Sequence, residues 1–219
     1  MTPPVEILEL KGETPLAQGR MRIVFRHPRD PGLLVKVIRP DILDKRWGSG
    51  APWYKKRRRF GQYISYIRET EEYIAGCAGG SDAPPFAQKI VGYVDTDYGL
   101  GMIVRAVLDR NGDPAPTLGQ ILLRGGYDAK VKADLATFVD SVVNSDLIVA
   151  DFNLHNIVHG HDEQHGDHFV LIDGLGLSTI LPFKTLSRAF NRLSKKGRVK
   201  RMYARIERNL RMIAAGGAS

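Results

Sequence analysis

In "DFNLHN", directly after the apolar run "LIVA", a carboxylate and an amide stand five residues apart, Asp151 and Asn156. A second apolar run, "FVLI", ends on another carboxylate, Asp173. Much earlier, Lys36 is enclosed in "LLVKVI", Gly19 lies in a polar turn, and Glu69 belongs to a segment of helical periodicity. Singly these are ordinary: a carboxylate can start a turn that an Asn caps, and a strand lysine can reach for water. As a set they supply what phosphoryl transfer needs. Phosphates call for a cation and close backbone approach. Magnesium prefers hard oxygens, typically one or two carboxylates plus phosphate oxygens. An acceptor hydroxyl needs a carboxylate to orient it and take its proton, and an acid can hold the lysine in place. Glu71 and Glu72 rival Glu69 for that last role, and the spacing leaves the choice open.

The positioning elements follow from the patterning. "VEILEL" (5–10), "GRMRIVFRHP" (19–28) and "GLLVKVIRP" (32–40) predict three strands, the last two joined by "HPRDPG" in an antiparallel meander. "FGQYISYIRETEEYIAGC" (60–77) spaces Tyr63, Ile67 and Ile74 between charges and predicts an amphipathic helix. Two more strands are expected in "FAQKIVGYVDTDYGLGMIVRAVL" (86–108), around the turn "DTDYG". "DRNGDPAPT" (109–117) then reads as a linker between an N-terminal lobe, 1–108, and a C-terminal lobe, 109–219. Beyond it, Val131, Leu135, Phe138, Val139, Val142 and Val143 have helical spacing, and "LIVADFNLHNIVHG", "HDEQHGD" and "HFVLIDGLG" predict a loop and a β-hairpin. A last helix presents Val199, Met202, Ile206, Leu210 and Ile213 on one face.

Composition sets outer bounds. With 219 residues, 43% of them hydrophobic, the chain can bury a core without covalent staples. Cys77 is the sole cysteine, which excludes an internal disulfide and fits a reducing compartment. The start "MTPPVEILELKGETP" has no secretory pattern, and no apolar run is long enough to span a bilayer, so a soluble cytoplasmic protein is expected. The net charge of +8 is concentrated: residues 181–219 hold eleven Lys or Arg and one acid, Glu207, leaving about −2 for the rest. A basic amphipathic helix suits the anionic inner face of a membrane or nucleic-acid phosphates. Equally, it can bury its apolar face and leave its charges in water. Nucleic acid is the weaker option, because the body of the chain is not basic. "WYKKRRR" (53–59) fits a phosphate-rich partner or a solvated insertion equally well. His159, His161, Asp162, Glu163, His165, Asp167 and His168 crowd one stretch, but no metal pattern such as H-E-x-x-H is present and a solvated turn is expected.

In their order these segments resemble the protein-kinase-like superfamily. "LAQGRMRIV" (16–24) lies over the glycine-loop pattern L-G-x-G-x-F-G-x-V, matching at Leu16, Gly19 and Val24. "LVKV" resembles the strand with the phosphate-pairing lysine, "DFNLHN" the catalytic-loop spacing D-x-x-x-x-N, and "LIDGLG" the metal-binding D-F-G segment. More narrowly, "TPLAQGRMRIVFRHPRDPGLLVKVI", "IRETEEY", "HNIV" and "IDGLGLSTILPF" resemble, in order, segments of the PhoP regulatory network protein YrbL family over about 14–192. The resemblance implies an α+β, two-lobed kinase-like fold: an antiparallel sheet with a helix, then a small, mostly helical lobe with a catalytic β-hairpin. It implies ATP and Mg2+ as cofactors, with Lys36 on the α- and β-phosphates, Glu69 paired to it, and Gly19 letting the backbone approach the nucleotide. Asp151 would be the base, and Asn156 and Asp173 the magnesium ligands. The activity implied is phosphotransfer to an unknown acceptor. Alternatives are a pseudokinase-like regulator that binds a partner and a membrane-associated kinase of lipopolysaccharide-core sugars. The chain departs from the kinase pattern at Ala17 and Arg22, where glycines are usual, at Val149–Ala150 in place of His-Arg, and at Gly174–Leu175 in place of Phe-Gly.

Overall fold

Side-chain alternation along two strands organises the first part of the chain. β1 (Ala17–Gln18), β2 (Arg22–His27) and β3 (Asp30–Ile38) are joined by β4 (Ile90–Thr96) and β5 (Gly99–Arg105) in an antiparallel sheet of order β1-β2-β3-β5-β4. Successive strand residues point to opposite faces. Phe25, Val35 and Val37 therefore pack on one side with Leu8, Leu10 and Ile23. Lys36 and Ile38 point to the other, where Ile38, Met102 and Val104 pack against Tyr66. Arg22 lies opposite Ile38 and Val24 opposite Lys36, so Arg22 and Lys36 are diagonal neighbours on that second face.

The computed structural model describes residues 7–48, 50, 52–53, 59–78, 83–176 and 188–216. Residue contacts divide the chain into one unit of Met1–Thr70 with Lys89–Ala106 and another of Glu71–Gln88 with Val107–Ser219. Most of the basic run at 53–59, and the part of "IDGLGLSTILPF" beyond Gly176, lie outside the described residues.

Three features of the chain up to Cys77 differ from expectation. The strand expected at 5–10 is, among its described residues, only an isolated parallel bridge from Leu8 to Thr96. Asp97 explains why the chain turns away there: its carboxylate accepts from the amides of Leu10 (2.9 Å) and Lys11 (2.8 Å), which end pairing with the sheet. A short helix not foreseen from the sequence, α1 (Pro40–Trp47), follows β3 with proline in its first turn, where no amide donor is required. After a single 3-10 turn (Gly61–Tyr63), α2 (Ile64–Cys77) buries Tyr66 and Glu69, while Ile74, placed on the apolar face by its spacing, is 61% exposed. The inward face of this helix combines Tyr66, which packs on Ile38, Met102 and Val104, with Glu69, which meets the cations of the sheet.

The second unit is helical around a two-stranded hairpin. α3 (Leu118–Leu123) begins with a capping box between Thr117 and Gln120, and α4 (Ala129–Asn144) with the Asp128 carboxylate on the Val131 amide. α4 buries Val131, Leu135, Phe138, Val142 and Val143 as its periodicity predicts. β6 (Ile157–Asp162) and β7 (Gly166–Leu171) form the expected hairpin. α5 (Arg188–Gly216) buries Met202 and Ile206, but its predicted apolar face emerges beyond them: Leu210 and Ile213 are exposed. No helix among the described residues is long and apolar enough to cross a membrane.

Candidate functional site

The alternation that aims Lys36 at α2 brings it to Glu69. The Lys36 ammonium lies 3.7 Å from Glu69 Oε1, and the lysine is only 4% exposed. It does not reach for water. The same carboxylate receives a second cation: Arg22 Nη1 donates to Glu69 Oε2 at 2.6 Å, with Arg22 itself buried. The Arg22 guanidinium also stands 5.1 Å from the centroid of the Tyr66 ring, and the Tyr66 hydroxyl donates to the carbonyl of Lys36 at 2.8 Å. Buried charges persist only when paired and hydrogen-bonded, and this cluster of Arg22, Lys36, Glu69 and Tyr66 is so arranged. Burial pushes the Tyr66 phenol well above its ordinary value, so it stays a neutral donor. Of the three candidate glutamates, Glu69 is the one that meets Lys36. Glu71 is exposed, and Glu72 accepts from the Ile148 amide at 2.8 Å, its carboxyl raised by burial.

Gly19 sits in the β1–β2 turn, where its amide donates to the Arg22 carbonyl (2.9 Å) and its own carbonyl accepts from Arg39 (3.0 Å). A Cβ added there would meet nothing nearer than 3.6 Å, so the turn itself does not require glycine.

In the second unit, backbone pairing assembles the other three positions. The Ile172 amide donates to the Asn156 carbonyl at 2.8 Å, and the Ala150 amide donates to the Gly174 carbonyl at 2.7 Å. Asp173 is thus held between backbone bonds to the residue before Asp151 and to Asn156. Asn156 Nδ2 lies 3.5 Å from Asp151 Oδ2, the outer limit of a hydrogen bond, and this turns the amide nitrogen toward the aspartate. Asp173 Oδ1 accepts from the Gly174 amide at 2.7 Å. Asp151 is exposed; Asn156 and Asp173 are half-buried. Asn156 and Asp173 carry hard oxygens of the kind magnesium takes, with water and phosphate completing its shell.

Gly174 is indispensable to this arrangement. Its φ is +98°, and a Cβ would stand 2.7 Å from the carbonyl oxygen of Asp151. Where the kinase pattern has an aromatic residue, this chain needs the close approach that only glycine allows.

The segment leading into Asp151 is clamped by α5. Asn191 donates to the carbonyls of Asp146 (2.8 Å) and Leu147 (3.2 Å). Lys195, 1% exposed, donates to those of Val142 (2.8 Å), Ser145 (2.5 Å) and Leu147 (3.1 Å). Arg198 donates to the carbonyl of Ala150, next to Asp151. These donors recur at helical spacing on one face, so part of the basic helix is used internally, on carbonyls at the end of α4 and in the segment after it. Burial pushes the Lys195 ammonium down to about 8. Burial, then Arg201, also lower the Arg198 guanidinium, and Asp151 opposes them. No sequence signal separates these inward donors from the outward ones. Arg22 and Gly174 did carry one, as departures from the kinase pattern.

The profile of the family described as "PhoP regulatory network protein YrbL" matches residues 8–210, and the chain belongs to that family. The "Uncharacterized protein YrbL" of Escherichia coli (strain K12) is 24% identical over 187 residues, covering 83% of this chain and 80% of the relative. That of Shigella flexneri is similar to the same extent. Among solved structures, a crystal structure of a Mycobacterium tuberculosis PknI kinase domain double mutant aligns at a TM-score of 0.42 and 19% identity. The alignment covers 73% of this chain and 56% of that one.

Proposed function

We propose that this member of the family is a kinase-like, ATP- and magnesium-binding phosphotransferase acting on an acceptor not yet known. The observation that supports this reading most is the buried Lys36 facing Glu69 at 3.7 Å. A lysine placed between Val35 and Val37 and kept from water is poised for a polyanion, and Glu69 holds its ammonium in register. In this reading Lys36 pairs with the α- and β-phosphates. Gly19 leaves the β1–β2 turn without a side chain where the nucleotide backbone contact would form. Asn156 and Asp173 supply oxygens to magnesium, which offsets charge on the phosphates when bound. Asp151 orients the acceptor hydroxyl and receives its proton. Arg198 and Gly174 fix the backbone on which Asp151 stands. The protein works in the cytoplasm, and the exposed basic end of α5 suits an anionic membrane surface better than nucleic acid.

A specific observation favours a second reading, a regulator that binds nucleotide without transferring phosphate. Arg22 is closer to Glu69 than Lys36 is, 2.6 against 3.7 Å, so the glutamate serves two cations.

Thermal shift with ATP and magnesium tests the reading. Saturating nucleotide should raise Tm by roughly 2–4 °C for each kcal/mol of binding. Asp173→Ala should abolish the rise. Asp151→Asn should keep it while phosphotransfer stops. No rise in the unaltered protein would sink both readings, and a rise with no transfer to any acceptor would leave the regulator.

A further inference from the structure

The crowded stretch 159–168 is sorted by the hairpin. Residues alternate faces along a strand, and the register pairs Gly160 with His168, His161 with Asp167, and Asp162 with Gly166. His159, His161 and Asp167 therefore share one face. They are engaged there: His159 lies 2.9 Å from Asp134, His161 lies 2.7 Å from Asp167, and Arg110 and Lys130 also reach Asp167. Asp162 and His168 share the opposite face, and His165 joins them from the turn.

On that second face, one ligand atom from each of Asp162, His165 and His168 lies within 4.8 Å of the others. His165 Nδ1 is 3.1 Å from both carboxylate oxygens of Asp162, and His168 Nε2 is 3.5 Å from Oδ2. Ligand atoms around a four-coordinate zinc ion stand about 3.3 Å apart, given bonds of about 2.0–2.1 Å. The His168 ring is also oriented for metal. Its Nδ1 lies 3.0 Å from the Gly166 carbonyl, which can only accept, so in the neutral ring the proton is on Nδ1 and the lone pair on Nε2. A ring nitrogen donating to a backbone carbonyl is the usual outer support of a metal-bound histidine. Gly166, at φ +66°, makes the turn that presents its carbonyl.

We propose that Asp162, His165 and His168 form a binding site for a borderline divalent transition metal, with zinc as its probe, at the tip of the β6–β7 hairpin. Two imidazoles and one carboxylate favour such an ion over magnesium, which takes oxygen ligands. Three protein ligands at an exposed tip leave a coordination position for water or a partner's side chain. The site is separate in sequence and chemistry from Asn156 and Asp173, and it needs no nucleotide.

Calorimetric titration of the nucleotide-free protein with Zn2+ tests it. One ion per chain should bind in the presence of excess Mg2+. His168→Ala should weaken binding by about tenfold or more, and the double variant His165→Ala with His168→Ala should lose it. His161→Ala, on the other face, should leave it unchanged. His165 is exposed and His161 and His168 are half-buried, none in the core, so circular dichroism should show each variant folded. No zinc binding, binding unaltered by the double variant, or binding lost with His161→Ala alone would each overturn the proposal. None of these results bears on ATP.

Discussion

Around Lys36 the charges hold one another, whereas around Asp151 the backbone does the holding. In the first region, two cations and one carboxylate are removed from water, and Glu69 is the partner both cations share. In the second, Asp151 is exposed and Asn156 and Asp173 are half-buried. Their places are set by amide–carbonyl pairs, by a glycine, and by donors arriving from α5. The difference teaches where stability and function separate. A buried ionic cluster cannot lose a member without leaving an uncompensated charge. A loop built by its backbone can lose an exposed side chain with little effect on folding, yet it is sensitive to residues with no chemistry of their own.

Removing Glu69 should have the largest effect. Glu69→Gln leaves Arg22 and Lys36 buried without their counter-charge, and urea denaturation should show a loss of roughly 3–5 kcal/mol. Asp151→Ala, an exposed position measured the same way, should stay within about 0.5 kcal/mol of the unaltered protein. Equal losses would break the contrast. Gly174→Ala comes next, at roughly 1–3 kcal/mol, because alanine must be strained at φ +98° and its Cβ collides with the Asp151 carbonyl. The paired change Gly19→Ala should be within about 0.5 kcal/mol, since its Cβ meets only ordinary contact.

A further effect is a slope with pH. The Lys195 ammonium is pushed down to about 8 from an ordinary 10.5, so between these values the unfolded chain holds a proton that the folded chain has released. Folding stability from this group therefore rises as pH climbs from about 8 toward 10.5, and the penalty is fully present below 8. Urea midpoints over pH 8–10 should rise more steeply in the unaltered protein than in Lys195→Met. Parallel curves would show that Lys195 titrates alike in both states.

Legibility followed the same division. The strand holding Lys36, the helix holding Glu69 and the hairpin beyond Asn156 all have patterns in the sequence, because burial of alternate or helically spaced apolar residues leaves a periodic trace. α1 and α3 left none, being too short for a period to show. The reading of α2 placed Ile74 inward, yet Tyr66 and Glu69 are what it buries. Hydrophobic periodicity cannot register an inward position such as Glu69, whose burial depends on charges on another element.

By itself, the sequence determined the strand and helix periods, the D-x-x-x-x-N spacing, the single cysteine and the concentration of positive charge near the end of the chain. These are local properties, carried by residues a few positions apart. Tertiary structure alone decided which glutamate meets Lys36, that Arg22 joins it, that Gly174 must lack a side chain, and that Lys195 and Arg198 turn inward to carbonyls some fifty residues away. Those outcomes depend on desolvation and close approach between distant segments. Neither quantity exists until the chain has folded, and so neither is written in the order of its residues.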